Sequence, residues 1–299
     1  MKVSVIATVY NEEKTIRSLI DSLLNQSRKA DEIVIVDGGS TDGTMQFLTS
    51  SARYGRLVQD LLCNINHCTS PVARGRNLAI RKSTGDVIAV TDAGCIPNKY
   101  WLEEITKPFE DESVMVVAGN CLGVQSTWFH KIITPFMPRV RELRDNPSSR
   151  SIAFRKHVWK AVGGYPEVAL TAEDTLFNQM WDYAHFKSVF ADKAIVFWRM
   201  SPNLKHFVRQ QYRYSKGDAI SDLRLGTHIE MALRLGFLFG SFFLGVGWYV
   251  LSAYFLYLLL WKGYVNHSLF SAPMKIVLDA SRVAGFIVGQ YKRICGKNW

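Results

Sequence analysis

Cysteine is scarce in this sequence and badly placed for either of its structural uses. The five thiols, Cys63, Cys68, Cys95, Cys121 and Cys295, are odd in number and scattered, with no CxxC pair. That argues against a disulfide framework and a zinc knuckle, and for reduced thiols in a chain facing the cytosol. None of the seven histidines falls in an HxxxH or HExxH spacing, so no zinc site is read from them. There is no internal repeat. The N-terminal Met1-Lys2-Val3-Ser4-Val5-Ile6 has too short an apolar run to be a signal peptide. Charged residues are only 21% of the 299, yet a hydrophobic content of 48% rules out a disordered or low-complexity protein. Acidic charge is the minority: 36 Lys and Arg against 26 Asp and Glu leave a net +10. Such an excess suits an anionic partner, whether nucleic acid, phospholipid or a phosphorylated small molecule.

The apolar residues are unevenly spread. Met231 to Trp261 is a 31-residue stretch whose only charge is Arg234, and Ile276 to Gln290 forms a second apolar segment. A membrane-spanning helix needs ~20 apolar residues, so the C-terminal fifth reads as a membrane anchor. As one helix the first stretch would be ~46 Å long, against a hydrocarbon core of ~30 Å. Gly245 and Gly247, near its middle, would allow a reversal into two short spans, with Ile276 to Gln290 as a third despite Asp279 and Arg282. Three spans are expected, with two as the alternative. From Arg199 to Arg234 there are seven basic and three acidic residues. Cytoplasmic flanks of membrane helices are basic in this way, so the expectation is a multi-pass membrane protein with its soluble domain in the cytoplasm. Anionic headgroups account for this basic cluster, and no nucleic-acid partner is expected.

The front of the chain alternates strand and helix. Val3 to Val9 is β-branched, and Asn11-Glu12-Glu13 then opens a helix with Ile16, Leu19, Ile20, Leu23 and Leu24 at helical spacing. Ile33-Val34-Ile35-Val36 reads as a buried parallel strand ending on Asp37, and Asp42-Gly43 opens another helix. Val72 to Ser83 is helical, and Asp86 to Thr91 is a third strand, ending on Asp92. This order means a doubly wound α/β sheet, whose ligands lie beyond the carboxyl ends of its strands, where Asp37 and Asp92 stand. Between Leu122 and Asp145, the apolar stripe of Trp128, Phe129, Ile132, Ile133, Phe136, Met137 and Val140 is broken by Pro135 and Pro138. It is either a helix in a membrane interface or one packed on the soluble core. Leu204 to Leu225 sets Phe207, Tyr212 and Tyr214 among five basic residues in the same manner.

Seven short motifs occur in order. They are Tyr10-Asn11-Glu12-Glu13, Asp37-Gly38-Gly39-Ser40-Thr41-Asp42-Gly43-Thr44, Gly75-Arg76-Asn77, Asp92-Ala93-Gly94, Gly163-Gly164-Tyr165-Pro166-Glu167, Thr171-Ala172-Glu173-Asp174 and Gln210-Gln211-Tyr212-Arg213-Tyr214. Together they resemble the signature of the family-2 glycosyltransferases, which have the GT-A fold and use nucleotide-activated sugars. The resemblance covers roughly the first 217 residues. It implies a GT-A doubly wound mixed sheet over 1–200, amphipathic interfacial helices over 201–229 and the membrane domain over 230–299.

The resemblance also implies roles. Thr8, Tyr10, Glu12, Asp37 and Gly39 match nucleotide-binding positions, Thr8 standing where the family usually has proline. A tyrosine face can stack on a base, and carboxylates can fix its edge or the ribose. Arg76 matches an arginine that reaches the nucleotide. Asp92 matches the first aspartate of the DxD motif that binds a divalent metal, Mn²⁺ or Mg²⁺, across the diphosphate; the second aspartate is Gly94 here. Cys95 is a poor ligand for so hard a cation. Glu173 and Asp174 match the family's acidic pair, Asp174 being the catalytic base that takes the proton of an acceptor hydroxyl. Gln210, Arg213 and Tyr214 match the QxxRW motif of cellulose-synthase-like members with Tyr for Trp, Arg213 neutralising the leaving diphosphate and Tyr214 facing the acceptor sugar.

The function so implied is an inverting, metal-assisted transfer from a nucleotide sugar, with GDP-mannose as the preferred donor by resemblance to dolichyl-linked mannosyltransferases. The acceptor is lipid-linked, as a sugar hydroxyl or a polyprenyl phosphate, and membrane lipids are partners. A UDP-sugar enzyme of envelope polysaccharide or glycolipid synthesis is the alternative, and a nucleotide-binding membrane module without catalysis is the other.

Overall fold

The computed structural model describes residues 1–50, 58–62, 71–137, 140–169, 171–261 and 271–295. It divides into two compact units, Met1–Gly123 with Pro138–Arg199, and Val124–Met137 with Met200–Trp299.

The first unit is built on an eight-stranded sheet. In chain order its elements are β1 (Val3–Val9), α1 (Ile16–Leu24), β2 (Glu32–Asp37), α2 (Thr44–Ser50), β3 (Val58–Leu62), α3 (Pro71–Lys82), β4 (Val87–Val90), β5 (Cys95–Pro97), α4 (Trp101–Thr106) and β6 (Val116–Val124). After α5 (Trp128–Ile133), which belongs to the second unit, come α6 (Val140–Asp145), β7 (Ile152–Arg155), α7 (Lys156–Ala161), α8 (Glu173–Tyr183) and β8 (Ser188–Arg199). The strand order is β3-β2-β1-β4-β7-β6-β8-β5. β1 to β4 run parallel, whereas β7 is antiparallel to β4 and β6, and β5 to β8. The sheet is therefore mixed.

Continuous apolar strands follow from burial on both faces. Val5 and Ala7 of β1 face a cluster with Ile16, Leu19 and Trp101, while Ile6 faces another with Ile80, Phe154 and Phe177. The buried residues of α1 are Ile16, Leu19, Ile20 and Leu23, the spacing the sequence predicts. The helix begins at Ile16 and not at Asn11, because Asn11 stands in the left-handed region at φ +54°; the N–H groups of Asn11, Glu12 and Glu13 bond to Ser40, Thr44 and Asp42. A mixed sheet is what the resemblance implies, although the sequence pattern placed neither β3 nor the strands β5, β6, β7 and β8 along the chain.

The second unit is helical: α5, then α9 (Leu204–Ile220), α10 (Leu225–Phe243), α11 (Gly247–Trp261) and α12 (Ser271–Ile294). Two glycines of α12 let α9 approach closely. A Cβ on Gly285 would lie within 2.3 Å of the Tyr212 carbonyl oxygen, and one on Gly289 within 2.6 Å of that of Lys216. The stripe over 122–145 does not form one helix. α5 is followed by a 3-10 turn at Thr134–Phe136, with Ile132 and Ile133 buried and Trp128 exposed.

Among the described residues no helix is long and apolar enough to cross a membrane. This overturns the expected multi-pass membrane domain, whether of three spans or two, and the localisation drawn from it. The 31-residue apolar stretch is interrupted at Gly245, whose φ of +74° lies in the left-handed region. The 15-residue α11 is only ~22 Å long. α10 carries Glu230 and Arg234, which pair with one another. α12 is long enough, but Asp279 lies buried in it, paired with Lys275 and facing Arg234 at 3.7 Å. Hydropathy along the chain registered the composition of this region and not where its helices end.

Candidate active site

Two loops at the carboxyl ends of neighbouring parallel strands are laced together. Asn11 N–H donates to Ser40 Oγ and Glu12 N–H to Thr44 Oγ1, both at 2.8 Å; Thr41 N–H donates back to Asn11 Oδ1 at 2.8 Å. Asn11 takes φ +54°, a conformation that asparagine tolerates better than most residues. Tyr10 follows the end of β1 and is 53% exposed, as a stacking platform requires. Glu12 is half-buried and accepts a hydrogen bond from the Thr15 hydroxyl.

Asp37 is buried. Its Oδ1 accepts from the N–H groups of Gly39 and Ser40 at 2.8 and 2.7 Å, and its Oδ2 from the Ser40 hydroxyl at 2.7 Å. The carboxylate expected to meet the nucleotide thus also shapes its own loop, with Gly39 at φ +87°.

Thr8, half-buried on β1, lies against Gly75 of α3, where a Cβ would come within 2.8 Å of its Cγ2. This close approach carries the next residue, Arg76, to the centre of the site. Arg76 is buried, and its guanidinium bridges two acids distant in sequence. Nη2 donates to Asp92 Oδ1 at 2.7 Å and Nη1 to Glu173 Oε1 at 2.8 Å. Its Nε is buried with no partner among the described residues. The guanidinium also lies over the Tyr165 ring, 5.4 Å from its centroid, and Tyr165 stacks on Phe177 of α8 at 4.2 Å.

The neighbouring Asn77 explains the Gly163–Glu167 motif. Its Oδ1 accepts from Tyr165 N–H and Trp159 Nε1, and its Nδ2 donates to the Tyr165 carbonyl and to Glu167 Oε1, all at 2.8–2.9 Å. Gly164 has φ +88°, and a Cβ there would lie 2.9 Å from both Asn77 Oδ1 and Trp159 Nε1. Four bonds from one amide therefore fix the segment that delivers α8. Glu173 and Asp174 occupy the first turn of that helix, where its dipole favours carboxylates. Asp174 is half-buried and accepts from Thr175 N–H at 2.8 Å.

Opposing influences set the charge states. Burial works to raise the Asp92 carboxyl, but Arg76 and Arg150 outweigh it and hold it below the usual carboxylate range. Burial pushes the Glu173 carboxyl up; Arg76 pulls against that rise and Asp174 adds to it. One acid is thus firmly ionised and the other is poised to hold a proton more readily.

Arg150 is the residue that sequence reasoning missed. It is a half-buried cation acting on Asp92, with its guanidinium 4.4 Å from the centroid of the Trp198 ring. It sits in an ordinary loop before β7, and no motif or period singles it out.

The cation site can be tested against the donors present. Residues 92–95 form a turn closed by the Cys95 N–H on the Asp92 carbonyl at 3.2 Å, with Gly94 at φ +75°. The left-handed backbone favours glycine where the family has its second aspartate. Burial pushes the Cys95 thiol up, and the Cys121 thiol to about 11, so neither offers a thiolate. Among the described residues no group of three His, Cys, Asp or Glu side chains converges on a metal position. The fit is therefore limited to Asp92, a quarter exposed and held anionic, with Oδ1 engaged by Arg76. A hard cation there needs the phosphate oxygens of a donor to complete its shell.

Gln210, Arg213 and Tyr214 lie on α9 in the second unit. Gln210 accepts from the Ser201 hydroxyl and donates to the Tyr214 hydroxyl, both at 3.0 Å, and Arg213 is exposed.

The sequence matches the family model described as Glycosyl transferase family 2 over residues 4–164. It is 26% identical to the glycosyltransferase AglE of Haloferax volcanii over 252 residues, covering 79% of this chain and 81% of AglE. It is 29% identical over 203 residues to the poly(ribitol-phosphate) beta-N-acetylglucosaminyltransferase TarS of Staphylococcus aureus, covering 65% of this chain but only 35% of TarS. Among solved structures, the mannosyltransferase PcManGT of Pyrobaculum calidifontis, in complex with GDP-Man and Mn²⁺, superposes with a TM-score of 0.67 at 19% identity, covering 99% of this chain and 88% of that one. TarS 1–349 in complex with UDP-GlcNAc gives 0.57 at 19% identity, covering all of this chain and 93% of that one.

Proposed function

Because the chain belongs to glycosyl transferase family 2 and is a glycosyltransferase acting on a nucleotide-sugar donor, we propose that it transfers mannose from GDP-mannose, with inversion, to an acceptor linked to a polyprenyl carrier. Its GT-A-like mixed sheet opens the site at the strand ends, as doubly wound sheets do.

The observation that carries this reading is the Asp92–Arg76–Glu173 bridge. It gathers the donor-side aspartate, a fixed cation and the acidic pair into one cluster. In the proposed reaction Tyr10 stacks on the base, and the loop held by Asp37, with Gly39 at its turn, receives the ribose. Glu12 stands beside that loop, and Thr8 sets how closely α3 approaches it. Asp92 would hold Mn²⁺ or Mg²⁺ together with the donor's phosphate oxygens, and the cation would supply positive charge against the diphosphate. Asp174 takes the proton of the attacking hydroxyl, and Glu173, tied to Arg76, fixes the turn that presents it. Gln210, Arg213 and Tyr214 are proposed to serve the leaving diphosphate and the acceptor sugar, as in the cellulose-synthase-like pattern.

The donor preference is supported by the likeness to PcManGT, and a UDP-sugar by the likeness to TarS with UDP-GlcNAc. The test is nucleotide release from GDP-mannose and from UDP-sugars, with Mn²⁺, in the presence of polyprenyl phosphate or a polyprenyl-linked sugar. GDP release that requires the acceptor supports the proposal. UDP release alone replaces the donor, and turnover only with the phosphate acceptor removes the need for a base.

A further inference from the structure

The outward face of α10 is apolar where a solvated helix carries polar groups. Leu225, Ile229, Leu233 and Phe237 recur every four residues, so they form one row along the helix, and all four are exposed, Phe237 at 71%. Exposed apolar side chains also flank the turn that follows: Phe243, the last residue of α10, is 93% exposed and Trp248, near the start of α11, 73%. The inward face is fully accounted for: His228, Met231, Leu238 and Ser241 are buried, and His228 stacks on Phe286 of α12 at 4.1 Å. The apolar row is thus a second face with a different use. A contiguous exposed surface of this kind marks an interaction site.

Charge distinguishes between the occupants. The second unit holds thirteen Lys and Arg against four Asp and Glu in its sequence, a net +9 of the chain's +10. Two copies meeting on this face would bring two such units together, and their repulsion opposes a dimer. An anionic lipid surface is instead attracted to the unit as a whole. Trp248 and Tyr249, exposed at the start of α11, have the chemistry that settles at the boundary between headgroups and acyl chains. Lying in that boundary places no demand on helix length, since nothing has to cross the hydrocarbon.

We propose that the exposed row of α10 and the α10–α11 turn form a docking face for an anionic lipid surface, lying in the plane of one leaflet. This goes beyond the transfer reaction and does not depend on the donor or on the catalytic roles assigned above. On the bilayer, the apolar row supplies burial and the basic unit supplies attraction, so the two contributions separate with ionic strength.

The experiment is co-sedimentation of the full chain, without donor, with phosphatidylcholine vesicles that contain or lack phosphatidylglycerol, at low and high salt. The expected result is binding that favours the anionic vesicles, weakened but not abolished by salt. The combined variant Leu233→Ser, Phe237→Ser and Phe243→Ser is expected to bind roughly a hundredfold more weakly, with an unchanged melting temperature because the three side chains are exposed. Its nucleotide-release activity with a soluble acceptor stays at the parent level, which keeps this test apart from that of the proposed function. Absence of vesicle binding, or a folded variant that binds as well as the parent, overturns the proposal. So does lipid-free self-association that the same variant abolishes, which assigns the face to a second copy.

Discussion

Arg76 Nη1 lies 2.8 Å from Glu173 Oε1, although 97 residues separate the two in sequence. Both are buried, so this pair is shielded from water and salt as surface pairs are not. It ties α3, which packs on β1, to the first turn of α8. Because the other guanidinium nitrogen holds Asp92, a shift of either acid is felt by the other through one side chain.

Removing that side chain should be costly. Arg76→Ala leaves a buried Glu173 without its cation and Asp92 without its closest partner, and losing one member of a buried pair typically costs ~3–5 kcal/mol. A urea midpoint shift of that size is expected. Arg76→Lys should recover only part of it, because a single ammonium does not present two nitrogens in a fixed fork. Near-parent stability of Arg76→Ala would mean that the bridge is not formed in solution.

Asp174→Asn separates chemistry from architecture. Asp174 bonds within its own turn, and its replacement by a carboxamide of the same shape should leave the melting temperature within about a degree or two. Donor affinity should hold while transfer to a hydroxyl acceptor falls ~10²–10⁴-fold. The check is transfer at saturating donor beside a direct nucleotide-binding titration. Unchanged transfer excludes Asp174 as the base.

The parallel half of the sheet was legible because its strands obey simple rules. Ile33 to Val36 form an uninterrupted apolar run since helices cover both faces. β5 was not legible: Cys95–Pro97 is three residues long and has no period, and it forms only by pairing with β8. The site was legible as motifs but not as a network. Motif order marks Arg76, Asp92 and Glu173, yet only the fold shows that one guanidinium holds both acids. Arg150 acts on Asp92 from a loop with no signal of its own. At the C-terminus the break at Gly245 was legible, since glycine permits its φ of +74° between α10 and α11, but apolar content alone did not show that the helices on either side fall short of a membrane span.

Glu32 predicts an acid-sensitive joint. It is buried and accepts from the Ser4 hydroxyl and from the N–H groups of Thr84 and Gly85. Burial works to raise its carboxyl, but the bonds from Ser4 and Thr84 prevail and hold it low. A carboxylate lowered on folding contributes stability above its unfolded value, about 4.3, and loses it as pH falls through the folded value. Glu32→Gln should therefore be less stable than the parent by ~1–3 kcal/mol at neutral pH. The gap should close as the pH is taken below about 4. A gap that stays constant with pH would remove ionisation from the explanation.

Gly94 tests why the second aspartate is missing. Its φ of +75° costs an L-residue roughly 1–2 kcal/mol, whereas a Cβ there would meet nothing within 4 Å. The penalty is thus one of backbone conformation and not of crowding. Gly94→Ala should lower the melting temperature by an amount that matches this strain. Gly94→Asp should lower it somewhat less, because aspartate is among the residues that tolerate the left-handed region best. A Gly94→Asp variant at least as stable as the parent would show that the turn does not exclude aspartate. The choice of glycine would then have to be sought in what the donor or the acceptor needs beside Asp92.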